Sequence, residues 1–176
     1  MNMDLNSMSG SSFRNPVPPG VTIKTKIERG DPYSAPEVYD IEATVIKILR
    51  GEGARKLLRE QNIITDQPKE NFEYILVDIN VRYSRRGRGF VEEPFQLDEE
   101  RFVATSADGE TEYEIPFILQ QPQPQLLNIP LQPGETHQGW ILLQVPETEK
   151  KPLLIFKREN VEVVYGVWGN VWFQLY

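Results

Sequence analysis

Apolar and polar residues alternate with a period of two in segment after segment, and a turn signal closes each run within about 8–12 residues. Phe72–Tyr83 shows the pattern best: Ile75, Val77, Ile79, Val81 and Tyr83 share one face. Phe72, Tyr74 and Leu76 begin the other, which turns polar at Asp78, Asn80 and Arg82. Successive side chains of a strand point to opposite sides, so this run reads as a strand with one fully buried face. The chain carries 14 prolines and 12 glycines, more punctuation than a helical bundle tolerates.

The other runs follow the same logic. Val21, Ile23 and Ile27 alternate with Thr22, Lys24 and Lys26, and Asp31-Pro32 ends that strand. Tyr39–Leu49 puts Ile41, Ala43, Val45 and Lys47 on one face and Thr44, Ile46 and Ile48 on the other. Both faces are apolar near its end, which marks a central strand. Phe95 and Leu97 open a further strand that runs on through Phe102-Val103-Ala104. Asp108-Gly109 is a hairpin turn before Thr111–Ile115. The proline-rich stretch 116–134 reads as a crossing between two sheets, with Leu126-Leu127 as apolar contacts and Pro133-Gly134 as a type II turn. Gly139–Val145, Leu153–Phe156, Val161–Tyr165 and Val171–Leu175 complete the set.

Gly51–Asn62 breaks the period: Ala54, Leu57, Leu58 and Gln61 fall at helical spacing, with charged residues around them. The expectation is a helix lying across one end of the strands. The fold class that results is all-β, an immunoglobulin-like antiparallel β-sandwich of about seven to nine strands with one short inserted helix. Residues 1–14, polar and rich in Ser and Asn, read as a disordered leader or linker. Residues 15–176 read as the sandwich domain.

The order and spacing of several pieces resemble a known family. They are Asn15-Pro16-Val17-Pro18 with Gly20, Arg50-Gly51 before the helix, Tyr74-Ile75-Leu76-Val77 with Val81 and Tyr83, Phe95, Asp108-Gly109, Leu131, Pro133-Gly134-Glu135, Gly139-Trp140 and Val145-Pro146. The chain resembles the immunoglobulin-like domains of unknown function found in exported prokaryotic lipoproteins, related to the mycobacterial immunoprotective extracellular antigen. Some members of that family carry the label telomeric repeat-binding factor. The resemblance implies a β-sandwich and an extracellular or cell-envelope location, and it implies no catalytic residues. Two departures stand out. Residues 1–13 have neither the basic nor the apolar region of a signal peptide, and no lipid-accepting cysteine is present. The segment from Lys157 to Asn170 is longer and more aromatic than the family's ending. Either the export signal lies outside these residues, or the protein stays in the cytoplasm.

Chemistry is scarce. The chain has no cysteine and one histidine, His137, so thiol nucleophiles, disulfides and sites needing two imidazoles within one chain are excluded. No nucleophile elbow and no calcium-loop spacing occurs. Catalytic, cofactor-binding and metal-binding residues are accordingly expected to be none, no cofactor is expected, and the protein is read as no enzyme. The acidic runs Glu92-Glu93, Asp98-Glu99-Glu100 and Glu147 with Glu149 read as solvated surface, and His137 as a strand-end histidine. A net charge of −7 disfavours nucleic acid as a partner, and no run reaches a membrane span.

Two features remain as candidate partner contacts. Arg85, Arg86 and Arg88 sit in a glycine-bearing loop, Ser84–Gly89, that could clamp an acidic partner. Trp168, between Gly166 and Gly169, presents an indole on a turn, near the aromatic residues Tyr165, Trp172, Phe173 and Tyr176. Trp172 and Phe173 are adjacent, so one is expected inside the core and the other exposed or covered by a partner. The leading expectation is a non-enzymatic surface or secreted binding module with an unknown protein or glycan partner. The alternatives are a carbohydrate-binding module using these aromatics and a structural spacer of an envelope complex. An exposed edge and aromatic tail would also permit a homodimer.

Overall fold

A computed structural model describes residues 9–29, 37–63, 65–86, 94, 96–158 and 169–176. Along them run β1 (Thr22–Arg29), β2 (Glu37–Arg50), α1 (Glu52–Glu60), β3 (Phe72–Arg86), β4 (Phe102–Thr105), β5 (Thr136–Pro146), β6 (Leu153–Phe156) and β7 (Val171–Gln174). The strands form two antiparallel sheets, in the orders β1-β2-β3-β5 and β4-β6-β7. The fold is an all-β sandwich, with one α-helix among the described residues. Val161–Tyr165, Phe95 and Asp31-Pro32 lie outside the described residues.

The core fills the space between the sheets. Ile75, Val77, Ile79, Val81 and Tyr83 are all buried, as their alternation requires. Ile41, Ala43 and Val45 of β2 and Ile141, Leu143 and Val145 of β5 join them from the same sheet. Phe102, Leu154, Phe156 and Phe173 come from the other, with the Phe102 and Phe156 rings stacked at 5.1 Å. Leu126, Leu127 and Leu131 of the proline-rich crossing also enter this core.

β2 departs from simple alternation. Its register with β3 shifts between Val45, opposite Ile79, and Lys47, opposite Asp78, so Ile46 is an extra residue. Such a bulge inverts which parity faces inward. After it Ile48 packs on the main core, and Lys47 is exposed on the outer face, opposite Asp78 in register. Ile46 stands 45% exposed. The strand is central, as its two apolar faces indicate, because its far end also supplies Leu49 to a second cluster.

That second cluster corrects the placement of the helix. α1 packs on the outer face of the four-stranded sheet, not across an end of the sandwich. Ala54 and Leu58 meet Tyr74, Leu76 and Leu142 there. The Tyr74–Leu76 side of β3 was apolar because this helix needs it. The side turns polar at Asp78, beyond the helix.

Three further readings change. β3 continues to Arg86, where Asp40 faces Arg85 and Tyr39 faces Arg86, so these arginines are strand residues and not loop residues. The length of β2 explains this: at 14 residues it offers ladder partners beyond Tyr83. No strand begins at Leu97 among the described residues: a 3₁₀ turn over Glu99–Arg101 precedes β4. Residues 9–14, assigned to the leader, are tied to β7 by a hydrogen bond from Trp172 N–H to Gly10 O (2.9 Å) and by the Phe13 ring edge-on to Trp172.

Candidate functional site

A groove of about 350 Å³ runs beside β5. One wall is the segment Ile115–Gln121, and the opposite side is Ile141–Leu143 with Phe102 and Leu127. Glu99 and Glu100 stand at its mouth, both exposed. The wall is held at both ends. Gln144 donates to the Glu114 carbonyl (3.2 Å), and Gln61 exchanges two hydrogen bonds of 2.7 Å with the backbone of Gln123. Ile118 turns inward to the cluster under α1. Phe117 and Leu119, its neighbours, project outward and are 75% and 86% exposed. Two large apolar side chains this exposed stand on one short segment, flanking Ile118, unlike scattered surface leucines.

The turn bearing the mouth acids is anchored from below. Arg101, buried, donates to the Lys157 carbonyl (3.0 Å) and the Arg158 carbonyl (3.3 Å). Its charge thereby meets backbone dipoles, and its Nε also lies 3.9 Å from the Asp98 carboxylate.

The sequence-derived candidates fare differently. Arg85 and Arg86 end β3, at the far end of the strand from Phe72, and Arg88 and Trp168 lie outside the described residues. His137 is structural: its Nε2 lies 2.6 Å from the Gln125 carbonyl and helps bind the proline-rich segment to β5. Phe173 is buried, and Trp172 is covered from within the chain, by Phe13 and by the close approach of Gly109. Glu149 accepts from the backbone N–H groups of Ala107 (3.2 Å) and Lys151 (2.9 Å), which makes it a turn-holding residue. Glu92 and Glu93 lie outside the described residues.

Perturbed ionisation follows hydrogen bonding and not any assembled site. Asp108 is held below the usual carboxylate range, chiefly by the Ser106 hydroxyl and then by the Glu110 N–H. Glu52 is lowered by its contact with Arg59. Tyr113 is pushed up by burial and then by the nearby Glu149 carboxylate. None of the three lines the groove. Among the described residues, no three acidic or imidazole groups gather as metal ligands would, and no helix is long and apolar enough to cross a membrane.

Phe117 and Leu119 were not singled out from sequence. The available signal was an apolar run, Ile115-Pro116-Phe117-Ile118-Leu119, with no alternating polar residue, at the start of a connection.

No family model matches this chain, and no curated protein matches it. Among solved structures it is similar to a candidate lipoprotein (ycdA) of Bacillus subtilis, with a TM-score of 0.50 and 11% identity over 85% of this chain. It spans 38% of that protein's length. A candidate lipoprotein of Staphylococcus aureus aligns with a TM-score of 0.46 and 12% identity, over 87% of this chain and 94% of the other. The likeness to the first extends the sandwich fold beyond this chain.

Proposed function

We propose that this chain is a non-enzymatic binding module of the cell envelope, and that it meets a protein partner through the apolar wall of the β5 groove. The observation that carries the reading is the exposed pair Phe117 and Leu119 beside an apolar groove. Burying a large apolar side chain stabilises by about 1.5–3 kcal/mol, so two of them supply several kcal/mol to a complex. The envelope location is supported by the resemblance to exported lipoprotein domains and by the name of the ycdA protein, whose fold is shared. The immunoglobulin-like kinship rests on the same resemblance and on the four-plus-three arrangement of the sheets.

A double variant, Phe117→Ser with Leu119→Ser, tests the reading. Purified envelope proteins that bind the wild-type chain are expected to lose that binding, with thermal unfolding unchanged. Undiminished binding by the variant would refute the assignment of the surface. Hydrolase activity that survives exhaustive purification would refute the non-enzymatic reading.

A further inference from the structure

We propose that the stretch between β2 and β3 is a platform that holds the apolar wall in its binding conformation, and that Gln61 is the positioning residue. This rests on Phe117 and Leu119 being the contact surface, and it specifies how that surface is kept in place. Pro116 and Pro122 carry no N–H, so the wall cannot run a continuous ladder of its own. Its fixed points come from the other stretch, which runs antiparallel to it. Gln61 meets Gln123 through two hydrogen bonds of 2.7 Å, donating to the carbonyl and accepting from the N–H. Thr65 forms an antiparallel bridge with Ile118. Lys69 and Glu114 share the Gln144 amide, which accepts from the Lys69 N–H (3.2 Å) and donates to the Glu114 carbonyl (3.2 Å).

The platform is itself tied to the four-stranded sheet. Ala54 and Leu58 are buried in the cluster with Tyr74, Leu76 and Leu142. Gly51 N–H donates to the Tyr74 carbonyl (2.9 Å), and Phe72 N–H to the Lys69 carbonyl (2.8 Å). The Tyr74 hydroxyl donates to the Asp66 carbonyl. A wall bonded along this base shares its restraint.

Register then decides which side chains face outward. In an extended segment neighbouring side chains point to opposite sides. Ile118 packs inward with the cluster under α1, so Ile115, Phe117 and Leu119 share the outward side and are 39%, 75% and 86% exposed. A slip of one residue would turn Phe117 and Leu119 inward and Ile118 out. The bridge at Ile118 and the paired bonds at Gln123 oppose that slip. A surface fixed before contact loses less conformational freedom on binding.

The chain has no cysteine, so a nitroxide spin label on Gln120→Cys reports on the wall alone. Gln120 is exposed and does not line the groove. Gln61→Ala should free the label, shortening its rotational correlation time by at least about twofold. Gln61→Glu should be intermediate, because it still accepts from the Gln123 N–H but has no donor for the carbonyl. Amide exchange across α1 and the two sheets should stay as it is in both variants. In intact cells, the crosslink from a photo-reactive residue at 117 should fall about tenfold with Gln61→Ala, the effect of a lost hydrogen-bonded pair. It should recover in part with Gln61→Glu. Label motion unchanged by Gln61→Ala would overturn the positioning role and leave the contact surface standing. Freed motion with an undiminished crosslink would overturn it as well, because binding would then not need a fixed wall. No crosslink from 117 in the chain with Gln61 intact would instead refute the contact surface itself, and the positioning role would fall with it.

Discussion

At Gly139 the chain has room for a hydrogen atom and nothing larger. A Cβ there would stand 2.5 Å from both the Gln125 carbonyl carbon and Leu126 N, which are backbone atoms that cannot step aside. The proline-rich segment is therefore pressed on β5 where Trp140 and His137 bond to it. Gly139→Ala is expected to destabilise the fold by about 1–3 kcal/mol, as overpacking does. Urea unfolding would give the loss, and amide exchange at Leu126 would show whether the segment lifts first. Asp108 offers a second test. Its carboxylate accepts from the Ser106 hydroxyl (2.5 Å) and Glu110 N–H (3.0 Å), and its pKa is lowered. A depressed acid contributes stability that is complete above its unfolded value, near 3.8, and is lost as pH falls through the folded one. Exchange at the Glu110 amide should therefore quicken below that unfolded value, and Asp108→Ala should remove this pH dependence.

At the scale of elements, the alternation in β3 was legible to the residue because both neighbours of each inner position obey it. β2 was legible only up to Val45. An inserted residue leaves no mark in composition: Ile46 is as apolar as its neighbours, and the bulge is set by the partner strand. The same limit hid the extension of β3 through Arg85 and Arg86, since ladder length depends on the partner. The helix announced itself by spacing, but its docking face did not, because Tyr74 and Leu76 would read equally well under a helix or in a sheet-on-sheet core. Leu58→Ala is expected to cost about 2–5 kcal/mol. The loss should concentrate on α1 and its contacts, because Leu58 belongs to the outer cluster and not to the core between the sheets. Near-native β signal in circular dichroism with raised exchange in α1 would be the sign, and collapse of the whole sandwich would contradict the separation of the two clusters.

For the whole molecule, the candidate surface was the least legible part. Sequence reading searches for chemistry-bearing residues, and this surface is built from ordinary apolar ones. Phe117 and Leu119 are conspicuous only once Ile118 is seen turning inward between them. The aromatic tail was conspicuous in sequence, yet Trp172 and Phe173 are packed by the chain itself. Because Phe117 and Leu119 contribute little to the core, replacing both with serine should shift stability by no more than about 0.5 kcal/mol. The most direct measurement places a photo-crosslinking amino acid at position 117, at 119 and, as a control, at the exposed Ile46 on β2. In intact cells, the same partner band should form from 117 and 119 and not from 46. Crosslinking of equal strength from all three positions, or from 46 alone, would contradict the assignment of the apolar wall as the binding surface.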